Sequence, residues 1–220
     1  MRLISFSLYG QHPIYCGGML ANAKLAQELY PGWQVRVYHG EEVPPKYLLP
    51  LDRRGCELVP MPHILENGLP RGTKPWPAYG PRRFQSFYGM FWRMLPAADP
   101  QVERVIIRDC DSRFNVREVA AVEAWIESGK AAHVMHDHEH HTKDMMGGMW
   151  GVKGGLLPIP EWLSGWSFSG QYDDDQQFLA RYVWPRISGN VLIHGPKGQP
   201  FPPHAAFSGH VGQIVEGALS

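Results

Sequence analysis

Apolar and polar residues alternate along this chain in two rhythms. Leu3 to Tyr9 interleaves apolar with small polar side chains and stops at Gly10, the period-two pattern of a half-buried strand. From Met19 to Tyr30 the period lengthens: Leu20, Ala23, Leu25, Ala26 and Leu29 mark a helix that Pro31-Gly32 closes. Trp33 to His39 returns to the strand pattern around β-branched Val35 and Val37, Pro44 to Arg54 reads as a helix opened by prolines, and Glu57 to Met61 as a third strand. Strand, helix, strand, helix, strand predicts an α/β protein with a mostly parallel central sheet flanked by helices.

Residues 62 to 80 hold prolines at 62, 70, 75 and 77 together with glycines, and are expected to form a long loop. Arg82 to Leu95 reads as an aromatic-rich helix closed by Pro96, and Arg104 to Arg108 as the next strand. Asn115 can cap a following helix, with Glu118 at the third position and Val119, Val122, Trp125 and Ile126 on its apolar side, ending at Ser128-Gly129. Ala131 to Met135 is a further strand, Met145 to Gly155 is too glycine-rich for regular helix, Asp173 to Ile187 suits a helix broken near Pro185, and Val191 to His194 suits a last strand. Beyond it the chain is loop-like apart from His210 to Val215. No repeat or boundary divides the sequence, so residues 1–220 are read as one domain.

Composition adds constraints. Lys plus Arg equals Asp plus Glu, at 21 each, so no global field recruits nucleic acid or an anionic membrane, and an anionic ligand must be held locally. Three cysteines, Cys16, Cys56 and Cys110, have no C-x-x-C spacing, which fits reduced thiols in a cytoplasmic protein rather than a disulfide framework or a zinc ribbon. No run approaches the roughly 18 apolar residues of a membrane span, so no transmembrane segment is expected. Neither a G-x-x-x-x-G-K-[ST] nor a G-x-G-x-x-G loop occurs, which leaves P-loop hydrolysis and a dinucleotide cofactor without support.

The chemistry gathers where the fourth predicted strand ends. Asp109 and Asp111 follow its β-branched run at a spacing that puts both carboxylates on one side, where a hard divalent cation takes them as ligands and keeps positions open for diphosphate oxygens. Departure of a nucleoside diphosphate assisted by that ion is the candidate chemistry; a chance D-x-D that merely ends a strand is the alternative. Downstream, His136-Asp-His-Glu-His-His141 could put His136, His138 and His140 on one face as a zinc site, contact a sugar, or form a solvated loop. In Met146-Gly-Gly-Met-Trp-Gly151, Gly147 and Gly148 let a ligand approach the backbone, and Trp150 is either a face for a sugar ring or a core residue. Asp173, Asp174 and Asp175 open a helix, as caps or as carboxylates for proton transfer. Arg82, Arg83, Arg93, Arg108, Arg113 and Arg117 are candidates for diphosphate contacts.

Arg108-Asp-Cys-Asp-Ser-Arg113, His136-Asp-His-Glu-His140 and Gly147-Gly-Met-Trp-Gly151 occur in an order, between Phe91-Trp-Arg-Met-Leu-Pro96 and Asp175-Gln-Gln-Phe-Leu179, that resembles GT-A fold glycosyltransferases. The resemblance covers roughly residues 80 to 195, as the motifs lie in the sequence. It implies a single GT-A-like, Rossmann-like domain, with residues 1–115 as the nucleotide-binding half and 116–220 as the sugar and acceptor half. It further implies transfer of a sugar from a nucleotide diphosphate sugar to an acceptor, with Mn2+ or Mg2+ held directly by Asp111 and by Asp109 through water or the ribose. A third metal ligand is expected from a late histidine, His194 ahead of His204 and His210, with Lys197 near the diphosphate. Asp137 and His138 would bind the sugar. Asp175, of the aspartate-glutamine pair, would be the catalytic carboxylate, with Asp174 second. A metal-dependent hydrolase built on His136 and His138, and a domain that binds nucleotide or glycan without turnover, remain as alternatives.

Overall fold

The computed structural model describes residues 1–61, 89–169 and 171–215. The elements run β1 (Arg2–Leu8), α1 (Pro13–Leu29), β2 (Gln34–Gly40), α2 (Pro45–Arg53), β3 (Glu57–Met61), a 3-10 helix (Gly89–Ala98), β4 (Arg104–Arg108), α3 (Val116–Ser128), β5 (Ala132–Met135), β6 (Met149–Val152), α4 (Ile159–Ser164), α5 (Asp174–Phe178), a π turn (Leu179–Val183), α6 (Trp184–Ile187), a 3-10 turn (Ser188–Asn190) and β7 (Val191–His194). The strands form one seven-stranded sheet in the order β3-β2-β1-β4-β6-β5-β7. Only β6 runs against its neighbours β4 and β5; the other described pairings are parallel.

Alternation along β1 explains the layering. Ile4, Phe6 and Leu8 face one side with Val35, Val37 and Ile106, and meet Met19, Ala23 and Ala26 of α1 and Val122 and Trp125 of α3. Leu3 faces the other side with Val105, Ile107, Val134 and Trp150, and meets Met94 of the 3-10 helix and Phe178, Val183 and Ile187 of the C-terminal helices. The sheet is thus covered on both faces, as the hydrophobic pattern predicts for parallel strands. Among the described residues no helix is long and apolar enough to cross a membrane, and the three cysteines are free and buried.

Four elements differ from expectation. Helix α1 begins at Pro13 rather than Met19, with His12 Nδ1 accepting from the Ile14 amide, and runs through Gly17-Gly18. Gly18 stays helical because it packs against the β4 loop: a Cβ there would lie 2.1 Å from the Cys110 carbonyl oxygen. The segment expected as a helix closed by Pro96 is, over its described part, a 3-10 helix that passes through Pro96 to Ala98. The glycine-rich stretch 145–155 contains strand β6, where Gly151 is admitted because a Cβ would sit 2.9 Å from both the Trp125 ring and the Val105 carbonyl. The helix expected over 173–187 is interrupted by a π turn just before Pro185, whose missing N–H cannot continue an α ladder. The stretch 62–80 expected as a loop and the arginines Arg82 and Arg83 lie outside the described residues.

Candidate functional site

Strand β4, the central strand of the sheet, delivers the chain to Asp109 at its carboxyl end. The intervening Cys110 turns inward, its Sγ donating to the Ser7 carbonyl at 3.1 Å. Asp109 and Asp111 are therefore left together on the wall of one cavity of about 640 Å3, as their spacing predicts. Several contacts hold this loop. Buried Asn22 of α1 donates to the Ser112 carbonyl at 2.8 Å, and the Asp111 carbonyl accepts from the Val215 amide at 2.9 Å, so a late segment of the chain closes over the aspartates. Burial, then the charge of Asp109, pushes the Asp111 carboxyl up to about 6.

Opposite stands Asp175, at the start of α5 and also on the cavity wall. Arg93, from the 3-10 helix, bridges the two sides: one guanidinium nitrogen pairs with Asp109 and the other with Asp175 at 2.8 Å. Burial raises the Asp175 carboxyl to about 6 despite that partner. The two glycines between β5 and β6 make the close approach possible. A Cβ on Gly148 would lie 2.0 Å from Asp109 Oδ2, and one on Gly147 would lie 2.5 Å from Asp175 Oδ2. Both glycines were expected to admit a sugar ring to the backbone; the neighbours they admit here are carboxylates of the protein itself.

The third wall is imidazole. His138, His140, His141 and His210 line the same cavity, with ring centres 4.9 Å apart for His138 and His140, 5.8 Å for His138 and His141, and 4.4 Å for His138 and His210. Burial first, then neighbouring imidazoles led by His210, depresses the His141 ring to about 4. Tyr15 and Tyr172, both exposed, stand on the cavity wall as well.

Several residues singled out in the sequence are placed elsewhere. His194 is fully buried beneath the sheet edge, with Nδ1 2.8 Å from His133 Nε2 and Nε2 3.0 Å from Gln199 Nε2, so both ring nitrogens are engaged away from the aspartates. Lys197 donates to the Thr142 carbonyl at 2.6 Å and is absent from the described cavity wall. Arg108 is buried against Glu118 at 3.0 Å and donates to the Gly148 carbonyl at 2.5 Å, bracing the loop instead of facing a diphosphate. Arg113 donates to the carbonyls of Cys110 and Ser112. Asp137 pairs with Arg117 at 2.7 Å and accepts from the Val211 amide, which anchors the late segment. Asp174 is fully buried and accepts from the amide and hydroxyl of Ser169, and it is absent from the described cavity wall. Trp150 is 1% exposed, with Nε1 donating to the Gly147 carbonyl: it is the core residue, not the sugar face, because β6 carries it into the sheet. His136 turns from the cavity and its Nε2 meets the Lys143 carbonyl at 2.9 Å, so His136 and His138 do not converge as a hydrolase pair.

The bridging role of Arg93 was not foreseen, and His210, ranked behind His194 among the late histidines, is the one of them on the described cavity wall. A lone arginine inside the aromatic run Phe91-Trp-Arg-Met94 was the available signal, because a charge placed in an apolar segment needs a buried partner.

No protein-family profile matches the chain, and no curated protein matches it by sequence. Among solved structures it is similar to the galactosyltransferase LgtC in complex with donor and acceptor sugar analogs, at 11% identity over 89% of this chain and 73% of that one, with a TM-score of 0.46. It is similar to S. aureus TarS 1-349 at 8% identity over 90% of this chain and 59% of that one, with a TM-score of 0.47. It is also similar to M. tuberculosis glucosyl-3-phosphoglycerate synthase, at 11% identity over 94% and 74% of the two chains and a TM-score of 0.47. These are likenesses of chain path, and no residue role in this chain rests on them.

Proposed function

We propose that this protein transfers a sugar from a nucleotide diphosphate sugar to an acceptor hydroxyl, in the cavity bounded by Asp109, Asp111 and Asp175. The carrying observation is the placement of two adjacent carboxylates at the carboxyl end of β4 with a third, proton-avid carboxylate across the same cavity. Residues 1–115 supply the aspartate pair and Ser7, His12 and Tyr15; residues 116–220 supply the histidines, the glycines and Asp175. That division supports reading residues 1–115 as the nucleotide-binding half and 116–220 as the sugar and acceptor half.

A divalent ion suits the donor set. Burial, then repulsion from Asp109, raises the proton affinity of Asp111 even with Arg93 and Arg113 nearby, so a cation at the pair would be favoured. Two carboxylates, Asp109 and Asp111, would leave coordination positions for phosphate oxygens and water. Mn2+ or Mg2+ bound there would neutralise the charge that grows on the departing diphosphate. Arg93 orients Asp109 and Asp175 relative to one another, and Asp175 accepts the proton released by the acceptor oxygen as that oxygen bonds to the anomeric carbon. Asp174, committed to Ser169, takes no part in this transfer.

The test is thermal stabilisation by nucleoside diphosphates with and without Mn2+, followed by an assay for release of nucleoside diphosphate from sugar nucleotides. Stabilisation that needs Mn2+ and disappears in Asp111→Ala is expected. Unchanged stabilisation of Asp111→Ala overturns the reading, and stabilisation without turnover of any sugar nucleotide reduces it to binding alone.

A further inference from the structure

The hydrogen bonds of the histidine wall fix more than its shape. The amide of His140 donates to His138 Nδ1 at 3.2 Å, and the amide of Asp137 donates to His141 Nδ1 at 3.0 Å. A backbone N–H can only donate, so each Nδ1 must carry its lone pair and each neutral ring must carry its proton on Nε2. Among the described residues neither Nε2 is used in a hydrogen bond, and both rings line the cavity. The distal edges of His138 and His141 are thus donors and not acceptors.

Two consequences follow from that tautomer. A metal ion needs a lone pair, and the only lone pairs on these two rings already face backbone amides, so the pair is unsuited to zinc as it stands. A sugar hydroxyl both gives and takes hydrogen bonds, whereas a phosphoryl oxygen only takes them, and a donor-only edge suits the latter. The cation on the described cavity wall, Arg93, is already engaged by Asp109 and Asp175, so phosphate charge on this side has neutral N–H groups to meet. Burial, then the neighbouring His210, His138 and His136, holds the His141 ring down to about 4, and His138 packs against His140, His141 and His210.

We infer that His138 and His141 form a neutral, two-donor site for a phosphoryl group of the substrate, set on the cavity wall by the amides of His140 and Asp137. This deepens the transfer reading, since the group belongs either to the donor diphosphate or to a phosphorylated acceptor, and both present the same oxygen chemistry. Because the donors persist in uncharged imidazole, binding does not depend on imidazolium.

Calorimetry on the full chain in the presence of a chelator, with inorganic pyrophosphate and glucose 1-phosphate as probes, tests the site without metal or turnover. At least one probe is expected to bind, pyrophosphate preference assigning the donor and glucose 1-phosphate preference the acceptor. Gln places its amide near the position of Nε2, whereas Asn places it near Nδ1. His141→Gln should therefore keep affinity within about threefold, while His141→Asn and His138→Asn weaken it about tenfold or more, the range of a hydrogen bond to a charged group. Long-range 15N spectra of the imidazoles should show both rings protonated at Nε2 at neutral pH, a readout that does not depend on any variant folding. Binding of neither probe, unaltered affinity in folded Asn variants, Nδ1-protonated rings, or stoichiometric Zn2+ uptake through these rings each overturns the inference. Failure of this site is read from metal-free probe binding and the imidazole spectra, and failure of the transfer reading from Mn2+-dependent nucleotide stabilisation, so the two are separable.

Discussion

Asp175 carries the sharpest consequence at the scale of one residue. Its carboxyl, raised to about 6 by burial, is ionised at neutral pH yet remains a competent proton acceptor. Asp175→Asn keeps the shape and removes the base, and the rate of sugar transfer should fall by about 100- to 10,000-fold, read from nucleoside diphosphate release. The pH profile follows from the same groups. Asp175 and Asp111 are both raised to about 6, so kcat/KM should decline as pH drops through that value and both carboxyls take protons. The sign for stability is opposite. A carboxyl whose folded value lies above the unfolded one binds protons more tightly when folded, so its stabilising share is present at low pH and is lost as pH rises from about 4 to about 6. Removing the Asp175 charge should therefore raise the melting temperature of the metal-free protein at pH 7 while removing activity, a division expected where a site holds destabilising charge for function.

At the scale of elements, the site depends on backbones that come too close for side chains. Gly148→Ala would put a methyl 2.0 Å from Asp109 Oδ2, where carboxylate and loop must separate. Loss of Mn2+-dependent stabilisation by nucleoside diphosphate, with the fold retained, is the expected result. Helix α3 offers a control away from the cavity. Asn115 Oδ1 accepts from the Glu118 amide at 3.0 Å, and Gly129 closes the helix with φ 69°. Asn115→Ala should cost about 1 kcal/mol in chemical denaturation and leave nucleotide binding unchanged. Both ends of α3 were readable because a cap is a local pattern. The 3-10 helix through Pro96 and the strand at Met149–Val152 were not, because their conformations answer to neighbours distant in sequence.

For the whole molecule, the pair His133 and His194 joins β5 to β7 at the edge of the sheet. Burial holds the His194 ring down to about 4 against 6.5 in the unfolded chain. An imidazole depressed in this way binds protons more tightly when unfolded, so its stabilising share is full above 6.5 and is lost as pH falls toward 4. The unfolding free energy should therefore fall as pH drops from 6.5 toward 4. His194→Leu should flatten the acid side of the stability profile, measured as unfolding free energy against pH. The same variant should leave Mn2+-dependent nucleotide binding in place, because His194 is absent from the described cavity wall.

Local pattern determined the strands β1 to β5 and β7, helices α2 and α3, and the convergence of Asp109 and Asp111, because periodicity, caps and i, i+2 spacing act between near neighbours. It also drew attention to Asp175 and to the glycine pair, which line the cavity. Tertiary structure decided which residue of each candidate pair faces that cavity. Asp175 faces it while Asp174 is tied to Ser169; His138 faces it while His136 is turned to Lys143; Gly148 borders it while Trp150 fills the core. It also replaced His194 with His210 on the wall, since the late segment is carried back across the aspartates by Val215 and Val211. Spacing along a chain states which side chains share a direction, but what lies in that direction is set by contacts such as Arg93 with Asp109 and Asp175, formed between residues 16 and 82 positions apart.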